Sequence, residues 1–299
     1  MNTALQNAIT YYQNGQLNEA QNLLEQLLAE GQKDADIHYY LGCIAFHKDL
    51  YDEAITHLEK AIEQDDSKAE YYEMLGEALG LKSQNAGMLK GAMMLGKVKA
   101  AFQKALELNP ESLSAREGLY MIYLFAPGMA GGDAQKARQM LAEIEERNPA
   151  RGHIARGMLL MKEKKIGEVE DEFEKAAELG QEDADIQLRV GRFFMERKQF
   201  DKARQCLNRY IELKPHDPAG YLALGELFVK LENNDEALKA FNTAVEKGPS
   251  NLRARYQRAL LFHSLRQDDS AKADLEWIMN QKTKHPFIDK AKKLLKELK

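Results

Sequence analysis

The stretch YLALGELFVKLENNDEALKAFNTAVEKGP, residues 221–249, has a counterpart in YYLGCIAFHKDLYDEAITHLEKAI, residues 39–62. Both carry the same order of residue types: a large or aromatic residue, Leu-Gly, Ala, a second large apolar residue, and Ala. Most of the chain divides into lengths of 34 residues that repeat this order. A fixed period of this size predicts a stack of similar structural units, because each unit buries its apolar face only against its neighbours.

Small residues recur at two places in the period, where two helices would have to cross closely and a large residue would fill the remaining space. The glycines, midway along the first predicted helix, are Gly42, Gly76, Gly157, Gly191 and Gly225. The alanines, early in the second, are Ala20, Ala54, Ala137, Ala203, Ala237 and Ala271. The large residue four positions later is Leu24, Leu58, Phe102, Leu141, Phe173, Leu207, Phe241 or Leu275.

This pattern resembles the tetratricopeptide repeat, and the resemblance covers nearly the whole chain. It implies an all-α fold, a right-handed α-solenoid of stacked helix-turn-helix repeats. The expected repeats are 1–34, 35–68, 69–112, 113–149, 150–183, 184–217, 218–251 and 252–285. Residues 286–299 place their apolar side chains on one helical face, which predicts a C-terminal capping helix with its lysines outward.

Composition excludes several classes of protein. Hydrophobic residues make up 44% and charged residues 30% of the chain, as in a soluble folded protein. The net charge of −5 argues against nucleic-acid binding. No apolar run is long enough for a transmembrane helix, and the first residues do not look like a signal peptide. The two cysteines fall in distant repeats, too far apart to form a disulfide. We therefore expect a cytoplasmic protein and disfavour membrane association.

In the tetratricopeptide family, the fifth, ninth and twelfth positions of each first helix line a concave groove. The resemblance therefore implies a set of partner-binding residues, most of them apolar. They are Tyr39, Cys43, Phe46, Glu73, Glu77, Glu117, Met121, Ile154, Met158, Met161, Leu188, Arg192, Leu222, Glu226 and Tyr256. Three glutamates make the middle acidic, so the expected partner is a protein or peptide with apolar anchors and nearby basic residues. The alternative for any one residue is burial in the core.

Some members of the family bind acidic C-terminal tails through a two-carboxylate clamp of Lys, Asn, Asn, Lys and Arg. The clamp positions of the first three repeats here hold Leu5, Ile9, Tyr40, Glu70 and Met74. None of them matches, and Glu70 has the wrong charge, so the sequence predicts that no such tail binds there.

The stretch AGMLKGAMMLGKVKAAF, residues 86–102, contains Met and Lys but no acid. It lies in a repeat that is ten residues longer than the regular period. Alignment places the extra residues between the two helices and predicts a long second helix that begins near Leu89. The next repeat has its own insertion at the matching turn, residues 126–137, in which Asp133 is placed to cap the second helix.

Three interpretations of this edge remain open. The insertion packs on its neighbour, or it forms a secondary site for an acidic protein surface or anionic lipid, or its lysines fold back over Glu73 and Glu77 and cover the groove. The residues of the secondary edge site would be Lys90, Met93, Met94, Lys97 and Met129.

No arrangement of residues indicates catalysis. The motifs HExxH, GxSxG and paired CxxC are absent, and GMAGGD lacks the Lys-Ser/Thr ending of a phosphate loop. His38 and His153 occupy a packing position of the repeat, which predicts structural roles. We expect a non-catalytic scaffold or adaptor with no cofactor and no metal. The alternative is a structural protein that forms homodimers through its groove or end helix.

Overall fold

A computed structural model describes residues 3–281 and 285–298, and within these ranges the chain forms 17 α-helices and one short 3₁₀-helix. The helices are α1 (Thr3–Gln13), α2 (Leu17–Ala29), α3 (Ala35–His47), α4 (Tyr51–Gln64), α5 (Ala69–Asn85), α6 (Met88–Leu108), α7 (Leu113–Phe125), α8 (Ala134–Arg147), α9 (Pro149–Lys162), α10 (Ile166–Leu179), α11 (Ala184–Glu196), α12 (Phe200–Leu213), α13 (Pro218–Lys230), α14 (Asn234–Lys247), α15 (Leu252–Ser264), α16 (Asp268–Met279) and α17 (Pro286–Glu297), and the 3₁₀-helix is Gly128–Ala130. The odd-numbered helices up to α15 are the first helices of pairs, and the even-numbered ones are the second helices. The all-α fold of stacked helix pairs expected from the sequence is confirmed.

The turn inside a regular pair has one recurring geometry. Its second residue adopts a left-handed conformation, with φ between 57° and 75°, at Gly15, Asp49, Lys164, Lys198, Glu232 and Arg266. The next backbone N–H then reaches back to the last turn of the first helix, as from Leu50 to the carbonyl of Ala45 at 2.9 Å. This is the usual way to satisfy the carbonyls at a helix C-terminus. The same turn geometry therefore links the two helices in six of the pairs.

The chain divides into two compact units, Met1–Ala176 and Ala177–Lys299. In the first unit, each first helix contacts the next first helix, from α1 through α3, α5 and α7 to α9. In the second unit, α11, α13, α15 and α17 form the same kind of row. We call the solvent-facing side of these rows the inner face of each unit. The described second helices α2, α4, α6 and α8 make no comparable contacts with one another, so the first helices lie on the tighter side of the stack.

Phe102 shows how the small and large residues of the period fit together. A Cβ atom added to Gly76 would lie 2.7 Å from the Phe102 ring, and one added to Gly118 would lie 2.3 Å from it. Gly76 belongs to the same pair as Phe102, whereas Gly118 belongs to the next pair. The ring is thus held between two helix backbones and joins two repeats, and its side chain is 4% exposed.

The C-terminal helix α17 packs on α15 and α16. Ala291 and Leu294 are buried in one cluster with Leu275 and Ile278. The lysines of α17 lie on its exposed side. None of the helices in the described ranges combines the length and apolar character that a membrane crossing requires.

Two histidines of the first unit, His38 and His57, lie in contact. The Nδ1 atoms of His38 and His57 lie 3.0 Å apart, and burial, the His38 ring and Lys60 lower the pKa of His57 to about 4. Burial also lowers the pKa of His38. Two rings at this distance can share only one proton between their facing nitrogens, so a second proton breaks the contact.

We expect the free energy of unfolding to fall as the pH drops from about 6.5 towards 4, because the unfolded chain accepts a proton on His57 at its usual pKa. Above pH 6.5 this histidine has no effect. Allowing for partial exposure of the ring, the loss at pH 5 is about 1 kcal/mol. Urea unfolding of the wild type and His57→Asn at pH 7 and pH 5 measures it. Equal pH dependence in the two proteins would contradict the prediction.

Candidate functional site

The predicted groove residues of the first unit do not all reach its surface. Met121 and Met161 are 37% and 36% exposed, and Tyr39, Phe46, Glu73, Glu77, Glu117 and Met158 are partly exposed. Cys43 and Ile154 are only 1% and 0% exposed. These two side chains belong to the core, which corrects the expectation that they contact a partner.

Aromatic side chains surround Cys43 at the start of this inner face. Tyr39 stacks on Tyr71 with 4.9 Å between ring centroids and meets Tyr40 edge-on at 5.0 Å. Tyr40 in turn meets Tyr12 edge-on at 5.3 Å. Tyr12 of α1 and Tyr39 and Tyr40 of α3 are partly exposed and form an aromatic surface on the first two first helices, whereas Tyr71 of α5 is 0% exposed and supports it from below. Such a surface supplies large, rigid contact area for binding.

The thiol and phenols of this cluster are not reactive groups. Burial raises the pKa of Cys43 to about 12, even though hydrogen bonds from Tyr39 and Tyr12 act in the opposite direction. Burial also raises the pKa of both tyrosines. A thiol is a nucleophile only as thiolate, so Cys43 acts here as a packing residue.

The inner face of the first unit is less acidic than the sequence suggests. Arg151 Nη1 lies 3.3 Å from Glu117 Oε2, and both side chains are less than one fifth exposed. The charge of Glu117 is therefore compensated within the chain. Glu73 and Glu77, both partly exposed on α5, are the other predicted acidic residues of this face. Sequence reasoning missed Arg151, although the second position of a repeat lies one helical turn before the predicted stripe.

In the second unit, the predicted residues Leu188, Arg192, Glu226 and Tyr256 are partly exposed. Leu222 is 4% exposed and packs with Phe241, so its predicted contact role is corrected to a core role. Arg253 donates from Nη2 to Glu226 Oε1 at 2.8 Å. Like Arg151, Arg253 occupies the second position of its repeat and was missed from the sequence.

The edge formed by the two insertions has an exposed part and a packed part. The helices α5 and α6 have 17 and 21 residues, against 13 and 14 in the regular pair α3 and α4. The second helix begins at Met88, close to the predicted start. Lys90, Met93 and Lys97 are exposed, and the Met93 and Met129 side chains are 78% and 103% exposed. Met94 is partly exposed and packs against the core cluster, and its place in the secondary edge site stays a prediction.

The 3₁₀-helix Gly128–Ala130 contacts α6, and the Lys99 ammonium lies 5.2 Å from the centre of the Tyr123 ring. The insertion therefore packs on the neighbouring repeat as well as exposing surface. Asp133 caps α8 by accepting from the backbone N–H groups of Gln135 and Lys136, as the sequence predicts.

Histidines with a predicted structural role have partners within the chain. His153 Nδ1 lies 2.7 Å from Glu172 Oε2, and His38 pairs with His57. His263, on the inner-face stripe, lies 3.0 Å from Asp268 Oδ1. In the part of the chain that the structure describes, no three or more His, Cys, Asp or Glu side chains come together as a metal site would require.

One family model of the tetratricopeptide repeat matches residues 5–79 and 222–277, and a second matches residues 160–227. Together the two models match more than half of the chain. The sequence matches no protein with curated annotation. Among solved structures, yeast Tom70 is similar with a TM-score of 0.60 and 17% identity over 95% of this chain. The human IFIT1 dimer with PPP-AAAA is similar with a TM-score of 0.50 and 18% identity over 92% of this chain. The chain spans 59% of the Tom70 chain and 66% of the IFIT1 chain. At these identities the likeness shows the fold alone.

Proposed function

This chain belongs to the tetratricopeptide-repeat family, and we propose that it is a non-catalytic scaffold or adaptor that binds a peptide or partner segment on its inner face. The observation that carries the proposal is the accessible aromatic and methionine surface on the first helices of the first unit. Tyr39, Phe46, Met121, Met158 and Met161 all contribute to it. Exposed apolar side chains in one row are typical of binding surfaces, and methionine adapts its shape to varied partners.

The chemistry of the surface favours a partner with apolar anchors and a nearby Lys or Arg. The anchors would lie on the aromatic and methionine side chains, and the basic group would face Glu73 and Glu77 on α5. For an adaptor of this kind we expect a micromolar Kd, which corresponds to a binding free energy of about 8 kcal/mol in magnitude. The two cysteines are both buried and not joined in a disulfide, which supports a reducing, cytoplasmic location.

Self-association as a structural protein is the weaker candidate. Dimerisation through the end helix would need its apolar face, but Ala291 and Leu294 already pack within the same chain. Dimerisation through the inner face would double the mass seen in light scattering over a concentration series. A stable monomer would remove this candidate.

We expect Tyr39→Ala combined with Met158→Ala to reduce partner affinity at least tenfold, which corresponds to ~1.4 kcal/mol. The two substitutions remove one aromatic and one flexible anchor from the same inner face. The partner is first identified by quantitative affinity capture with the intact chain, and each variant is then titrated with the purified partner.

The matched control is Glu59→Ala combined with Lys60→Ala, two exposed residues on the second helix α4. Far-UV circular dichroism shows whether each variant is folded, which matters because Tyr39 also packs on Tyr71. Equal affinity of the inner-face variant and the control would contradict the proposed function.

A further inference from the structure

The turns of the third, fourth and fifth helix pairs lie next to one another in the first unit. The 3₁₀-helix of the fourth turn contacts α6, and the ammonium groups of Lys99 and Lys136 lie 5.2 Å and 5.7 Å from the centre of the same Tyr123 ring. Arg138 of α8 donates from Nη2 to Glu163 Oε1 of the fifth turn at 3.3 Å. We call residues 86–99, 125–138 and 161–168 together the turn edge.

Each of the three turns carries an exposed large apolar side chain. Met93, Met129 and Ile166 are 78%, 103% and 44% exposed. Met93 lies six residues before Lys99 on α6, about 9 Å along the helix. A side chain as accessible as that of Met129 projects into solvent with no neighbours around it. Single exposed apolar residues are common, but three on adjacent turns form a patch of the kind that marks a binding surface.

The turn edge is positively charged in a chain whose total net charge is −5. It contains eight basic and three acidic residues, a net charge of +5. Three acids at or beside the edge are already engaged by basic groups of the chain. These pairs are Asp52–Lys82, Asp133–Lys136 and Glu163–Arg138. Among the described residues, no acid forms an ion pair with the lysines Lys90, Lys97, Lys99, Lys162 and Lys164.

We propose that the turn edge binds the surface of an anionic membrane. The lysines face the lipid head groups, and Met93, Met129 and Ile166 enter the boundary between head groups and acyl chains. The alternative occupant is an acidic protein, which is recognised best by arginine, because its planar group donates two parallel hydrogen bonds to a carboxylate. The one arginine of the edge is engaged with Glu163, and the cations that remain are lysines, which act as point charges.

The shape of the side chains favours a lipid surface for the same reason. Met93 and Met129 project outwards and line no groove, so they suit a soft surface that they can enter. The expectation against membrane association rested on the lack of a long apolar run, which bears on crossing a membrane and not on lying against one. The proposal goes beyond the proposed function, because an adaptor with both surfaces brings its partner to a membrane.

The test is co-sedimentation of the full chain with vesicles of phosphatidylcholine, alone or with about 30% phosphatidylserine. We expect at least about tenfold tighter binding to the anionic vesicles at low salt. This binding should be lost at about 0.5 M NaCl, where the Debye length falls to about 4 Å. The total charge of −5 opposes such a preference, so it has to come from a local surface. Equal binding to both kinds of vesicle, or no binding to the anionic ones, would overturn the proposal.

Two variants with the same change in charge locate the binding. The edge variant combines Lys90→Gln, Lys97→Gln and Lys164→Gln. The control variant combines Lys292→Gln, Lys293→Gln and Lys296→Gln, on the exposed side of α17. The edge variant should bind anionic vesicles at least about tenfold more weakly, because each lysine near the surface contributes about fivefold. The control should bind like the wild type, and equal losses in the two variants would overturn the assignment to the turn edge.

A third variant, Met93→Ser with Met129→Ser, tests entry into the lipid. It should keep the melting temperature of the wild type, because both side chains are exposed, and should bind anionic vesicles at least about tenfold more weakly. Vesicle binding like that of the wild type, or poly-glutamate bound as tightly as the vesicles, would assign the edge to an acidic protein and overturn the proposal. Tyr39→Ala with Met158→Ala should keep vesicle binding, so failure of the inner face and failure of the turn edge are separately visible.

Discussion

Phe102→Ala is expected to lower the free energy of unfolding of the first unit by about 3–5 kcal/mol, the usual range for removing a buried phenylalanine ring. The expected loss lies at the upper end because Gly76 and Gly118 both approach the ring and neither carries a side chain that could move into the cavity. The ring also joins two repeats, so its removal weakens the interface between neighbours on which a repeat array depends.

Urea unfolding followed by circular dichroism measures this loss. Met93→Ala on the same helix is the matched control, since its side chain is 78% exposed and its removal should change stability by no more than about 0.5 kcal/mol. A Phe102→Ala variant as stable as this control would show that the ring does not hold the two repeats together.

Asp274→Ala is expected to destabilise the second unit by about 3–5 kcal/mol, as is found when one partner of a buried ion pair is removed. Asp274 is 4% exposed between α15 and α16. Arg258 donates to its two oxygens from Nε at 2.8 Å and Nη2 at 2.7 Å, and Arg255 Nη1 lies 3.3 Å from Oδ1. Its loss leaves two arginines facing each other with no carboxylate between them.

The single tryptophan of the chain gives a local signal for this variant, because the Arg255 guanidinium lies 3.9 Å from the centre of the Trp277 ring. Urea unfolding followed by Trp277 fluorescence should show the loss directly. Glu276→Ala, an exposed residue on the same helix, should stay within about 0.5 kcal/mol of the wild type. Similar midpoints for the two variants would be incompatible with a stabilising role for Asp274.

Much of the fold could be predicted because the information is local. The spacing of Ala54 and Leu58, or of Ala237 and Phe241, lies within one helix and repeats along the chain. The long second helix of the third pair could be predicted in the same way, since Val98, Ala101 and Ala105 continue the helical spacing and are buried.

The candidate site was harder to predict because exposure on the inner face depends on neighbouring repeats. Cys43 and Met121 both occupy predicted inner-face positions, yet one is 1% and the other 37% exposed. The pairs Glu117–Arg151 and Glu226–Arg253 join residues 34 and 27 positions apart. No pattern within one repeat indicates which of these charges meets its opposite.

The extra residues of α5 and α6 all lie at the turn end of their pair, because α5 continues past the usual stop and α6 starts early. The added length therefore extends this hairpin at its turn end. A protein built in this way can acquire a new recognition edge by lengthening one hairpin, while the contacts between successive first helices are kept.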